Sequence, residues 1–323
     1  MQLERRPIHR GNIESEGLPA AITDTGCERE LNEDRYAVIE SSSGVAWVVA
    51  DGMGGASGGE LAAQLAIDAM RRHLESQSYR DVGSALRGAI LEANRAIVLR
   101  RQNPMFAGMG TTIVAAMFRG SEVALAHAGD SRAYLVRDGS VFQLTEDHTL
   151  VQEMVARGEL SAEASLKHPQ AHVLTRCLGS EPGLRIDMTK CWVTPRDEKN
   201  HGGGVDKLAL VSDGLYSLVS DAEFGAIVSD LEPQRACVHL VELAKSRGGF
   251  DNITIAIIPL HGNLSDSPPQ SFIDSQSLRG SSVGASEEEE ARLNLFRLGI
   301  LWIVASAAAA FLTLVMYTFK NFA

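Results

Sequence analysis

Four aspartates stand at the ends of short apolar runs, a pattern suited to gathering divalent cations. Asp51, followed by Gly52-Met53-Gly54-Gly55, closes the run 45–50, and Asp130, in Gly129-Asp130-Ser131-Arg132, closes 123–128. Asp213, in Ser212-Asp213-Gly214, closes 208–211, and Asp251 stands just before the run 253–258. A carboxylate at the mouth of a buried strand has few local partners, so it needs a cation. Asp-Gly alone is a common turn dipeptide; the repetition is what carries information. Carboxylates gathered at one sheet edge repel one another unless cations lie between them. Oxygen ligands without nearby His or Cys select hard divalent ions, Mg²⁺ or Mn²⁺. A pair of such ions can ready a hydroxide for attack on phosphorus at neutral pH. Arg29 offers a guanidinium fork matched to phosphate oxygens; its plainer reading is a surface ion pair with Glu30 or Glu33.

These residues need elements that bring them together. β-branched and aromatic runs predict strands at 36–39, 45–50, 110–118, 123–128, 133–136, 141–144, 208–211 and 251–258. Asp138-Gly139 between two of them is a hairpin signal. Strands spaced this closely pair antiparallel, because parallel ones need a crossover. In an antiparallel pair the end of one strand lies beside the start of the next, so Asp213 and Asp251 can share an edge. Apolar residues at helical spacing predict helices over 58–74 and 82–99, and further helices near 222–228 and 234–247. Residues 149–182 lack a long apolar run and read as a surface flap.

The chain has 323 residues, 45% of them hydrophobic and 22% charged, with a net charge of −11. That is ordinary globular composition, and it supplies no broad basic face for nucleic acid. Cys27, Cys177, Cys191 and Cys237 are scattered, which indicates neither a zinc site nor a disulfide framework. Residues 1–20 show no signal-peptide pattern and read as a flexible N-terminal arm before a catalytic domain over 21–260. Residues 261–291 turn polar and acidic, ending in Glu287–Glu290, and read as a linker. Residues 292–323 read as a membrane anchor, with an apolar span over about 298–317 that matches a bilayer core. Arg292 and Arg297 before it, against Lys320 after it, favour an N-terminal part in the cytoplasm. The expectation is a single-pass, C-terminally anchored protein.

Taken in order, Gly26-x-x-Arg29-x-x-Asn32-Glu33-Asp34, Asp51-Gly52-Met53-Gly54-Gly55, Gly110-Thr111-Thr112, Gly129-Asp130-Ser131-Arg132, Thr145-Glu146-Asp147-His148, Thr175-Arg176-Cys177-Leu178-Gly179, Ser212-Asp213-Gly214 and Asp251-Asn252-Ile253-Thr254 resemble the motifs of the metal-dependent Ser/Thr protein phosphatases of type 2C (PPM), in their bacterial form. The resemblance spans about residues 21–259. It implies an α+β fold, a four-layer α-β-β-α sandwich of two antiparallel sheets with flanking helices, to which the sequence adds a C-terminal transmembrane helix. It implies that Asp51 bridges two Mn²⁺ or Mg²⁺ ions, that the Gly52 carbonyl joins one, and that Asp213 and Asp251 hold the other. Asp130 with Asp213 would form a weaker third site. Glu33 and Asp34 would orient waters on the ions, and Arg29 would grip the substrate phosphate. The flap would be 149–174. Some relatives carry His after the Asp-Gly; here it is Met53, so no general acid is assigned. Neither His127 nor His148 is expected to be catalytic. The implied activity is hydrolysis of phosphoserine and phosphothreonine in proteins, countering a Ser/Thr kinase. The rival readings are a catalytically silent phosphoprotein-binding module and a phosphatase dedicated to one regulatory protein.

Overall fold

The structure, a computed structural model, describes residues 17–54, 58–165, 168–195 and 205–267. Its strands are β1 (Ala20–Asp24), β2 (Asp34–Ser41), β3 (Gly44–Met53), β4 (Gly110–Thr111), β5 (Ile113–Arg119), β6 (Glu122–Ala128), β7 (Arg132–Arg137), β8 (Ser140–Gln143), β9 (Asp187–Thr194), β10 (Lys207–Val211), β11 (Ile253–Pro259) and β12 (Asn263–Ser265). The helices are α1 (Gly58–Ser76), α2 (Val82–Arg100), α3 (Leu150–Ala156), α4 (Ala162–Ser165), α5 (Asp213–Tyr216), α6 (Asp221–Asp230) and α7 (Pro233–Ser246). One sheet has the order β1-β11-β10-β7-β8; the other runs β12-β9-β6-β5-β3-β2, with β4 beside β3. The strand pairings are antiparallel, as the short connections require.

The four layers follow from strand alternation. On β5, Ile113, Ala115 and Met117 pack into a core with α1 and α2, while Val114 and Ala116 face the opposite sheet. On β11, Ile255 and Ile257 pack with α6 and α7, while Ala256 and Ile258 face the opposite sheet. Strands buried on both faces read as continuous apolar runs, which is why the sequence shows them clearly. Each fully buried Ile, Leu or Met adds roughly 2 kcal/mol.

Alternation also aims the site. Trp47 and Val49 of β3 face the inter-sheet core, so Asp51, two residues on, falls on the same face. Leu208 and Leu210 of β10 put Ser212 there, and Ala256 and Ile258 of β11 put Thr254 there. Asp34 is the register partner of Asp51. The two sheets therefore present polar residues to each other at one end of the sandwich.

The structure adds three strands the sequence reading left out. β1 is short and ends in polar residues, β9 has a mixed pattern, and β12 lies within the segment expected to be linker. β12 pairs with β9, and Asp206 holds it through Leu264 N–H at 2.9 Å, so ordered structure runs past residue 260 to Ser265. Among the described residues no helix is long and apolar enough to cross a membrane; the span expected at 298–317 lies outside them.

Candidate active site

Asp34 lies at the centre. Its carboxylate is fully buried, and its Oδ2 accepts hydrogen bonds from Ser212 Oγ and Thr254 Oγ1, each at 2.7 Å. Those hydroxyls come from the opposite sheet, so Asp34 ties the layers together. Among the described residues its Oδ1 is buried without a partner, as is Oδ1 of Asp213. Burial pushes the Asp34 carboxyl up to about 7, and the charges of Asp213 and Asp251 push the same way against the two hydroxyls. Burial likewise holds Asp51 well above the usual carboxylate range, reinforced by Asp34, Asp213, Asp130 and Asp251. Asp130 is raised to about 7 by burial, then by Asp213 and Asp147. Because these carboxyls act on one another's charge, the sequence-distant carboxylates share one centre.

The local geometry is built by the surrounding motifs. Thr112 pins Asp51 from both sides: its N–H donates to Asp51 O at 2.8 Å and its Oγ1 accepts from Asp51 N–H at 3.0 Å. Thr111 Oγ1 also donates to Asp51 O. Glu33 Oε1 accepts the Gly59 N–H at 3.2 Å, at the start of α1, where the helix dipole favours an anion. Glycine is required at this crossing. A Cβ on Gly52 would lie 2.1 Å from Gly59 O, and one on Gly59 would lie 2.6 Å from Glu33 Oε1. Asn252 clamps the loop that bears Arg29: its Oδ1 accepts from Glu33 N–H, and its Nδ2 donates to Thr25 O and Leu31 O.

Arg29 Nη2 pairs with Asp251 Oδ2 at 2.7 Å, and both side chains are partly exposed. Burial works against the Arg29 charge, but Asp251, with Glu33 and Asp51, raises its pKa overall. The ion-pair partner is thus Asp251, not Glu30 or Glu33 as the plainer reading had it.

Of the residues expected from sequence, the structure brings Glu33, Asp34, Asp51, Gly52, Asp130, Asp213, Asp251 and Arg29 to one end of the sandwich. Sequence reasoning missed His172 of the flap, whose Nδ1 lies 3.5 Å from Asp213 Oδ2. Asp130, His172 and Asp213 offer ligand atoms within 4.8 Å of one another. It also passed over Ser212, Thr254 and Thr112 as individuals, although a hydroxyl at the start of an otherwise apolar strand is a readable signal.

His127 and His148 are buried and stacked, with ring centroids 4.4 Å apart. With Asp187 they also form a cluster of ligand atoms within 4.8 Å. His148 Nδ1 accepts the Gly129 N–H at 3.2 Å, which leaves the proton of the neutral ring on Nε2, facing Asp187 Oδ2. Asp187 is further engaged by Arg176 at 2.9 Å. The His148 ring therefore has no lone pair to spare for an ion, and Asp187 is already held by His148 and Arg176, so this cluster is structural. Arg132 is also structural: it grips Asp147 through Nε and Nη2 and stacks on Tyr216 at 3.7 Å, and the Tyr216 hydroxyl donates to Asp130 O.

The carboxylate centre fits a hard divalent ion. Its donors are oxygens, two of them buried and, among the described residues, unpartnered, and burial together with neighbouring carboxylates disfavours their charge.

Comparison with known proteins agrees with this chemistry. The family model described as protein phosphatase 2C matches residues 28–243. The chain is 37% identical over 244 residues to the serine/threonine phosphatase Stp of Listeria monocytogenes, covering 73% of this chain and 93% of that protein. It superimposes on a Streptococcus agalactiae serine/threonine phosphatase with a TM-score of 0.68 at 31% identity, covering 75% of this chain and 98% of the other. The catalytic domain of the serine/threonine protein phosphatase PstP, solved in complex with two manganese ions, gives a TM-score of 0.61 at 35% identity, covering 74% and 96%. With the motifs, the two-sheet fold and the carboxylate centre in agreement, the chain belongs to the protein phosphatase 2C family.

Proposed function

We propose that the carboxylate centre is where this chain, a metal-dependent protein serine/threonine phosphatase, hydrolyses phosphoserine and phosphothreonine esters. The observation that carries the reading is the gathering of Asp34, Asp51, Asp130, Asp213 and Asp251 from both sheets, with the charges of the other four all bearing on the buried carboxyl of Asp51. Asp51, the Gly52 carbonyl, Asp213 and Asp251 would hold two Mn²⁺ or Mg²⁺ ions, with Asp130 and Asp213 for a third and Glu33 beside them. Such ions supply Lewis acidity, lowering the pKa of water and neutralising charge on the phosphoryl oxygens.

The chain's own groups do the rest. Asp34 has its Oδ2 fixed by two hydroxyls, which leaves Oδ1 to accept a hydrogen bond from the attacking water and fix its direction. The same Oδ1 is placed to take that water's proton. Arg29, half exposed at the rim, presents its remaining guanidinium N–H groups to the phosphate. Thr111, Thr112 and Asn252 hold the backbones in register.

The test is turnover of p-nitrophenyl phosphate and a phosphothreonine peptide with Mn²⁺. We expect activity that EDTA abolishes and that Asp213→Asn lowers at least ~10³-fold with an unchanged circular dichroism spectrum. Activity indifferent to both would refute the mechanism.

We propose further that the enzyme counters a Ser/Thr kinase at the cytoplasmic face of a membrane, held by the apolar segment 298–317. A chain ending before Arg292 is expected to leave the membrane fraction, and its retention there would refute the anchor.

A further inference from the structure

Two large apolar side chains stand exposed on the rim of the centre. Leu31 is 50% exposed and Phe250 is 54% exposed. Leu31 lies two residues after Arg29, and Phe250 immediately precedes Asp251, the ion-pair partner of Arg29. Isolated exposed apolar residues are common and need no explanation. What sets these two apart is the rigidity and place of their backbones. Asn252 Nδ2 holds Leu31 O at 3.0 Å, and Cys27 N–H donates to Gly249 O at 2.8 Å, so the two loops are stitched together. A Cβ on Gly26 would lie 2.2 Å from Asp251 O, which measures how closely they meet. The Phe250 ring lies over Gly248, where a Cβ would be 2.3 Å from it. Gly248 and Gly249 take φ values of +123° and +53°, which hold the turn that presents the ring. The ring is thus fixed at the surface one residue before Asp251, whose carboxylate pairs with the Arg29 guanidinium.

An extended peptide advances about 3.3–3.6 Å per residue. With the phosphorylated residue at Arg29, its nearest neighbours in the peptide pass over the loops that carry Leu31 and Phe250. We propose that this pair is a specificity-determining surface that selects phosphoprotein substrates carrying a large apolar side chain one or two positions from the phosphorylated Ser or Thr. The proposal rests on the phosphatase reading above, with Arg29 at the phosphate. The two loops are already held together, so little backbone entropy is lost on contact, and burying an apolar partner there favours such a substrate by about tenfold.

The experiment uses the full chain with Mn²⁺ and two phosphothreonine peptides, identical except that Leu and Phe flank the phosphoresidue in one and Ser in the other. For the wild type we expect kcat/KM about tenfold higher on the apolar peptide. Leu31→Ser with Phe250→Ser should erase that preference through KM, leaving kcat and p-nitrophenyl phosphate turnover unchanged. Leu31→Ser alone should erase part of it, and Phe250→Trp should keep it. Leu99→Ser, also at an exposed apolar residue but near the end of α2, should change neither substrate. Equal kcat/KM for the two peptides, or a preference that survives in the double variant, overturns the proposal while leaving p-nitrophenyl phosphate turnover intact. Absence of wild-type turnover on every substrate would instead overturn the phosphatase reading and this proposal with it.

Discussion

The crowded carboxylates make a prediction about how metal binding stabilises the protein at different pH. Asp34 and Asp130 have folded-state pKa values of about 7 against an ordinary 3.8, and Asp51 is displaced the same way. Between these limits the metal-free folded state binds more protons than the unfolded chain, so its stability falls as pH rises. One carboxyl with a pKa of about 7 loses roughly 2 kcal/mol between pH 5.5 and 7.5. The carboxyls repel one another, so their protons are shared, and the cluster is counted as one to two such groups: roughly 2 to 4 kcal/mol. The buried histidines work in the opposite direction. His148 is lowered to about 4 and His127 is also lowered, each mainly by burial, so their contribution falls on acidification below the ordinary histidine value. They lie outside the carboxylate centre, and their effect cancels when the same protein is compared with and without metal. The assay is therefore the gain in Tm on adding saturating Mn²⁺, read by tryptophan fluorescence at each pH. That gain should be larger at pH 7.5 than at pH 5.5 by about 5 to 15 °C, since 1 kcal/mol moves Tm by roughly 2–4 °C in a domain this size. A gain that is equal at both pH values, or larger at pH 5.5, would refute the account of the centre as charge awaiting cations.

Two further outcomes follow from contacts between the chain's own groups. Gly59→Ala should cut kcat at least ~10-fold and cost roughly 1–3 kcal/mol in urea unfolding, because the added Cβ lands 2.6 Å from Glu33 Oε1 and from the Gly52 carbonyl carbon; wild-type activity would show that the crossing has slack. Arg132→Leu should destabilise by roughly 3 kcal/mol, since it strands Asp147, whose side chain is only 14% exposed; a shift below ~0.5 kcal/mol would show that Asp147 finds water instead.

What the sequence made legible follows the physics of each element. β5, β6, β10 and β11 are buried on both faces, so their composition alone marks them. The Asp138-Gly139 hairpin was readable because both residues take positive φ, +50° and +77°, which the turn demands. β1, β9 and β12 were not readable. β1 and β12 are sheet-edge strands, and β9 joins β12 to the rest, so their partners rather than their composition define them. The aspartates stood out because a charge at the end of an apolar run needs a reason. His172 did not, because only tertiary contact carries the flap to Asp213, and nothing in residues 168–174 announces that.

The convergence itself has a simple origin. Residues two apart on a strand share a face, so once Val49, Leu210 and Ala256 face the inter-sheet core, Asp51, Ser212 and Thr254 must face it too. Antiparallel pairing then sets Asp34 opposite Asp51, and the hydroxyls of the second sheet reach across to Asp34. The patterning that buries the sandwich therefore delivers its carboxylates to a place where burial penalises their charge. Arg29 relieves that penalty only at Asp251, the outermost carboxylate, and leaves the interior ones uncompensated. A centre built this way favours divalent cations without any further device, because the fold has already met the cost of bringing the charges together.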